Sequence, residues 1–391
     1  MKKTILFLLV TAAVLLSWNA CQKNESVPQA AVDESQAVPV LFGSNLQSSI
    51  STRTRAALDN WSGAENLYIY GLLRKNGKYV IPTGPDPYAG EQAYLIRNVM
   101  AKSPSGGTQG AINVYRIPGE YFYYLETPHY YSFYGYYVAD AYLLSSATSA
   151  TTAPQPDENA NTISLRVDIG DNAAINKKGG TQDIMLAHTS RVADAAGTGV
   201  DTSRVYGAYA ARRNIKPNLI FEHQLARFDF NLKAGTPKTA QDVTVESLKV
   251  YSKTTGTLVI ASNDTIASPR GLFPDTPQDA VALTVQGATG SLTEAGRDFG
   301  SILVMPGESV YQVELKIKQT GYSASDVTQT MEIDFAQIKP SAPGLPSDTR
   351  AVGGHKYNVQ IKVLGLEQVD IVVTMSSWDD NHGSFNIDPD E

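Results

Sequence analysis

The chain has 391 residues, and its 42% hydrophobic and 18% charged composition is that of a folding globular protein with material for two domains. With 32 basic against 39 acidic residues the formal charge is −7, which argues against nucleic acid, whose phosphates demand a clustered positive face. The single cysteine rules out an internal disulfide and a thiolate metal cluster, and the five histidines disfavour a histidine-based zinc enzyme.

Residues 1–21 have the anatomy of an export signal. Lys2 and Lys3 precede a nearly unbroken apolar run from Ile5 to Leu16, too short to span a bilayer. The run ends in Ser17-Trp18-Asn19-Ala20-Cys21, which resembles a bacterial lipobox with Cys21 as lipid anchor, although Trp18 stands where a leucine is usual. Loss of the two lysines with the leader moves the charge from −7 to −9. Residues 22–37 are polar and aperiodic, and read as a flexible tether.

Two strands are expected next, over 38–46 (VPVLFGSNL) and 65–73 (ENLYIYGLL). In the second, Leu67, Ile69 and Gly71 alternate with Tyr68, Tyr70 and Leu72. Between them, Thr52-Arg53-Thr54-Arg55-Ala56 lies in a polar linker with little to bury. Residues 112–142 hold the densest aromatic run, and predict two aromatic strands joined around Glu126-Thr127-Pro128-His129. A low-complexity loop over 145–161 precedes strands at 163–169 and 183–187.

The second half opens with FEHQLARFDFNL (221–232), read as one alternating strand with a register break, and VESLKVYS (245–252) echoes the strand at 65–73. Further strands are expected at 300–307, 311–319, 328–335, 355–364 and 369–378, with a Pro- and Gly-rich separator over 339–354. Short helices fit only near 56–60 or 336–339. Many short alternating strands between turn residues call for an all-β chain of two sandwiches, with the boundary near 212–219.

The lipoprotein-like leader, VPVLFGSNL with the Thr-Arg-Thr-Arg-Ala stretch, LYIYG, DIMLAHT, FEHQLARFDFNL and the closing YNVQIKVLGLEQVDIVVTMSSWDD together resemble the fimbrillin-like (Mfa-like) family of Bacteroidetes, subunits of type V pili. The resemblance implies two tandem transthyretin-like β-sandwich domains, spanning 38–215 and 216–391. It implies export to the outer membrane as a lipoprotein precursor, palmitate or a similar lipid at Cys21, and a cell-surface fimbrium as destination. It also implies an arginine-specific protease cutting after Arg55, or alternatively Arg53, which makes 38–55 a removable first strand and linker. The partners implied are other pilin subunits, joined head to tail by donor-strand exchange, with adhesion to a surface glycan or protein as the outcome. Stalk subunit, tip or accessory adhesin, and surface glycan-binding lipoprotein stay open as alternatives.

Donor-strand candidates are the alternating sets Tyr357, Val359, Ile361, Val363 and Val369, Ile371, Val373, Met375. Tyr130, Tyr134 and Tyr136 are candidate ligand-stacking aromatics, with strand packing the favoured role. The acidic turn Asp379-Asp380-Asn381-His382 lacks the distal glutamate of a calcium loop, and Asp264-Thr265-Ile266 matches a short O-glycosylation acceptor. No nucleophile elbow, phosphate loop or dinucleotide fingerprint occurs. The expectation is a structural protein without cofactor or enzymatic activity.

Overall fold

The computed structural model describes residues 37–46, 60–75, 78–79, 94–125, 129–139, 153–157, 162–173, 176–189, 206–262, 270–320, 327–338, 349–365 and 369–377. Cys21, Arg53, Arg55, the helix expected at 56–60 (but for its last residue), the turn Glu126–Pro128, the acceptor at Asp264-Thr265-Ile266 and the acidic turn at 379–382 lie outside these residues. Residues 37–391 form one compact unit.

The chain is all-β. In the first half the strands are β1 (Phe42–Leu46), β2 (Asn66–Lys75), β3 (Lys78–Tyr79), β4 (Tyr94–Lys102), β5 (Gln109–Ile112), β6 (Tyr115–Ile117), β7 (Glu120–Tyr121), β8 (Tyr130–Val138), β9 (Gln155–Asp157), β10 (Thr162–Asp168) and β11 (Ile184–Thr189). Then follow β12 (Asn218–His223), β13 (Ala226–Ala234), β14 (Val243–Ser252), β15 (Thr255–Ser262), β16 (Gly271–Pro274), β17 (Val281–Thr284), β18 (Gly290–Ser291), β19 (Arg297–Val304), β20 (Val310–Gln319), β21 (Val327–Asp334), β22 (His355–Val363) and β23 (Val369–Ser377). Short helices occupy Ala208–Arg212 and Pro237–Asp242, and a single 3-10 turn covers Phe335–Gln337.

An eight-stranded sheet runs β3-β2-β8-β11-β12-β1-β5, with β4 also on β2. Both faces of this sheet are covered, so β2 reads as nearly continuous apolar sequence. Leu67, Ile69 and Leu73 enter one core, while Tyr70 and Leu72 enter the other. Gly71 sits between them because a Cβ there would come within 2.9 Å of the Phe133 ring. The remaining layers are β16-β15-β10-β9, β19-β13-β22-β23 and β17-β14-β20-β21, with β18 beside β14.

Two expectations change in the folded chain. The aromatic run does not make two paired strands: residues before 126 form the separate ribbon β6–β7, while β8 is a central strand of the large sheet. FEHQLARFDFNL is two strands in two sheets, because the chain breaks at Gln224-Leu225; β12 pairs with β11 and β1, whereas β13 pairs with β19 and β22. The chain thus passes from the large sheet to another at 224–225. Even there the halves are not separate in their ladders, since β10 of the first pairs over its full length with β15 of the second.

The larger core is seeded by aromatics. Phe228 packs edge-on to Tyr311 at 5.1 Å and to Tyr357 at 5.7 Å, and Phe335 closes the group against Tyr357 at 4.8 Å. We expect Phe228→Ala to lower unfolding free energy by about 3–5 kcal/mol in chemical denaturation. Val310→Ala, at a half-exposed strand end, should stay within about 0.5 kcal/mol of the parent.

Candidate functional site

The candidate site is the slot filled by the first strand. Val40, Phe42, Ser44 and Leu46 are buried at alternate positions, the period that a pleated strand presents to one face. Phe42 meets Phe133 edge-to-face at 5.0 Å, and Phe133 is also ringed by Tyr124, Tyr131 and Tyr206. Burying Val40, Phe42 and Leu46 is worth about 5–9 kcal/mol by area-transfer reasoning.

β1 is not an edge strand. It runs parallel to β12, with Gly43 opposite Asn218 and Leu46 opposite Phe221, and antiparallel to β5, with Phe42 opposite Ile112. Just before it, the Val40 amide donates to the Phe122 carbonyl at 2.8 Å and the Tyr124 amide donates to the Val38 carbonyl at 3.0 Å. The Ser44 hydroxyl donates to the Gly110 carbonyl at 3.1 Å. Within its sheet, β5 pairs with β1 alone.

Trp61 holds the far side of the linker. Its side chain is fully buried, edge-on to Phe221 at 5.3 Å, and its amide and carbonyl pair with Gly107 and Gly106. One turn on, the Glu65 carboxylate accepts hydrogen bonds from the Ser62 amide, the Ser62 hydroxyl and the Ser103 hydroxyl. Burial alone would raise this carboxyl, but the hydrogen bonds from Ser103 and Ser62 outweigh it and hold Glu65 below its ordinary range. Leu46 and Trp61, on either side of the linker in the sequence, are packed in the same core. Neither Trp61 nor Glu65 stands out in the sequence; the one available signal is a tryptophan set in an otherwise polar stretch.

The two donor-candidate sets differ. On β22, Tyr357, Val359, Ile361 and Val363 are fully buried and the strand lies between β13 and β23. β23 is at the sheet edge, paired only with β22, from Val363 opposite Val369 to His355 opposite Ser377, with Met375 opposite Tyr357. Val369, Ile371 and Val373 are partly buried against the core, and Val372 points outward at 45% exposure.

Of the tyrosines, Tyr134 and Tyr136 are buried in the larger core, and Tyr136 stacks on Tyr68 at 5.0 Å. Their faces are occupied by protein, which gives them packing roles. Tyr130 is half-buried at the start of β8. Among the described residues no group of carboxylates and histidines is set to hold a metal ion, and no helix is long and apolar enough to cross a membrane.

A family model described as fimbrillin-like matches residues 54–378, and the chain belongs to that family. No curated protein sequence matches it. Among solved structures it is similar to a candidate cell adhesion protein from Bacteroides uniformis, at 12% identity and TM-score 0.47 over 88% of this chain and 98% of that one. It is also similar to a fimbrial protein from Bacteroides vulgatus, at 12% identity and TM-score 0.41 over 86% of this chain and 99% of the other. A third is the C-terminally truncated tip fimbrial protein Mfa3 from Porphyromonas gingivalis, at 12% identity and TM-score 0.40 over 88% and 100%.

The Glu65 arrangement has a pH signature. Its folded carboxyl lies below the unfolded value of 4.5, so its stabilisation is full above that pH and is lost as pH falls through the folded value. Glu65→Gln should therefore lower stability by about 1–3 kcal/mol at neutral pH. The deficit should shrink on acidification below about pH 4.5, read from melting temperatures across a pH series.

Proposed function

We propose that this fimbrillin-like chain is a structural subunit of a cell-surface fimbria, made as a lipoprotein precursor on Cys21, trimmed after Arg55 or Arg53, and polymerised by donor-strand exchange. Its organisation on this reading is a leader at 1–21, a tether at 22–37, a removable strand and linker at 38–55, and two transthyretin-like sandwiches. The fimbrial role itself follows from the family. The observation that carries the finer reading is β1: a buried, doubly paired strand separated from the rest of the fold by a linker with two arginines.

Cutting that linker makes the bond between strand and body non-covalent. Loss of β1 then leaves unpaired amides and carbonyls on β12 and on β5, together with apolar pockets at alternate positions. An incoming strand with the same period satisfies both, by strand addition. A head-to-tail contact of this kind does not close on itself, so it propagates as a fibre.

β23 is the better donor of the two candidates. It can peel from an edge by breaking one ladder, whereas withdrawing β22 would break two and empty four fully buried positions. Its alternating Val369, Ile371, Val373 and Met375 match the four alternating positions of the slot in number and period. The uncut precursor stays on the outer membrane through its lipid, and an arginine-specific protease releases it for assembly.

Three experiments test this reading. Arg53→Ala with Arg55→Ala should abolish both protease trimming and the ladder of heat-sensitive oligomers on a gel. Oligomers formed by the uncut double variant would refute the order of events. In the trimmed protein, loss of β1 should also raise hydrogen exchange across 109–124, because β5 loses its only sheet partner. Separately, Ile371→Asp should leave the trimmed monomer folded by circular dichroism yet slow oligomer growth by about ten-fold or more. Unchanged growth would exclude β23 as the donor.

A further inference from the structure

A cleft of about 500 Å³ opens where β12, β16 and the start of β22 converge. Its wall holds Glu222 and Arg270, both half-buried, with His355 at the rim and the Phe273 ring 40% exposed. Gly353 permits this convergence, since a Cβ there would lie 2.5 Å from the Gln224 carbonyl oxygen. Beneath, the Arg270 guanidinium rests 5.4 Å from the centre of the Tyr134 ring, which fixes a long side chain. Among the described residues, neither the Glu222 carboxylate nor the Arg270 guanidinium has a hydrogen-bond partner.

The chemistry of these groups narrows the ligand. A fork of donors beside an acceptor suits vicinal hydroxyls, which accept from one neighbour and donate to the next. A half-exposed aromatic ring suits the C–H face of a pyranose, an apolar surface on a polar molecule. The adjacent opposite charges make the site neutral, so a carboxylate ligand would meet Glu222 and an ammonium would meet Arg270. The volume lies within the usual range of small-ligand sites.

We propose that this cleft binds a neutral glycan of one or two sugar rings, with Phe273 as the stacking face and Arg270 and Glu222 as the paired donor and acceptor. None of Glu222, Arg270 and Phe273 lines the first-strand slot, although Glu222 follows Phe221 on the same strand β12. The fibre would repeat the glycan contact along its length, and weak single sites would add by multivalency.

The test is saturation-transfer NMR on the full-length chain with lactose, maltose and N,N′-diacetylchitobiose. Sialyllactose serves as the anionic comparator and tetra-alanine as the peptide comparator. At least one neutral disaccharide should show transfer, weakened about ten-fold or more by Phe273→Ala and by Arg270→Ala. Arg116→Ala, on the distant exposed ribbon, should leave it unchanged. Phe273 is too exposed for its loss to unfold the chain, and melting curves confirm that each variant is folded. Absence of transfer from all three sugars, transfer that survives both substitutions, or preference for sialyllactose or the peptide would each overturn the proposal. Oligomer formation by the same variants should be unaltered, so failure here is distinguishable from failure of strand exchange.

Discussion

Much of the first half of this protein depends on one double ladder, that of β1 with β12 on one side and β5 on the other. The segment from β5 through the β6–β7 ribbon to Tyr124 is tied to the large sheet through the first strand and through the residues just before it. The constraint is geometric as much as energetic. A sheet can lose an edge strand and remain a sheet, whereas loss of a strand one place inside detaches what lies beyond it. Any replacement must therefore run parallel to β12, antiparallel to β5, and present apolar side chains at every second residue. That is a far narrower demand than an open edge makes.

The same consideration separates the two candidate donors. β22 lies inside its sheet and is buried along one face, so it belongs to the permanent body of the second half. β23 lies at an edge with its inner face only partly covered and Val372 turned to solvent. Among the described residues the outer edge of β23 has no strand beside it.

Legibility in the sequence followed the physics of burial. Strands with one wet face, such as β20 and β22, alternate cleanly and are found within a residue or two of their ends. The class, all-β, followed from many such stretches taken together, and the family from the resemblance of the ordered set of segments from the leader to the closing YNVQIKVLGLEQVDIVVTMSSWDD. What could not be read is pairing that depends on partners distant in the chain. The break at Gln224-Leu225 shows only as an interrupted alternation, His223 and Gln224 polar and Leu225 and Ala226 apolar, and nothing local says that the chain changes sheets there. The aromatic run misleads for a related reason: tyrosine favours strands in general, but not which strand it pairs with. At the candidate site, Phe42 and its neighbours were legible as a strand, while the anchoring of Trp61 by Phe221 and the shielding by residues 122–124 required the folded chain.

The ladder between β10 and β15 has a mechanical meaning. These antiparallel strands pair from Thr162 opposite Ser262 to Asp168 opposite Thr255, reinforced at one end by the Arg166–Asp275 ion pair. A filament on a bacterial surface is pulled by flow, and tension on a subunit acts first on the joint between its parts. Two sandwiches linked only by a peptide hinge would swing apart at small force. Here the joint is itself a strip of sheet, and drawing it along its strands would load the hydrogen bonds in shear, so that they fail together rather than one by one. Under tension, survival is set by the rate of that rupture rather than by equilibrium stability. The ladder is backed by a core that residues of both halves share, among them Leu72, Tyr136, Ile163 and Phe228.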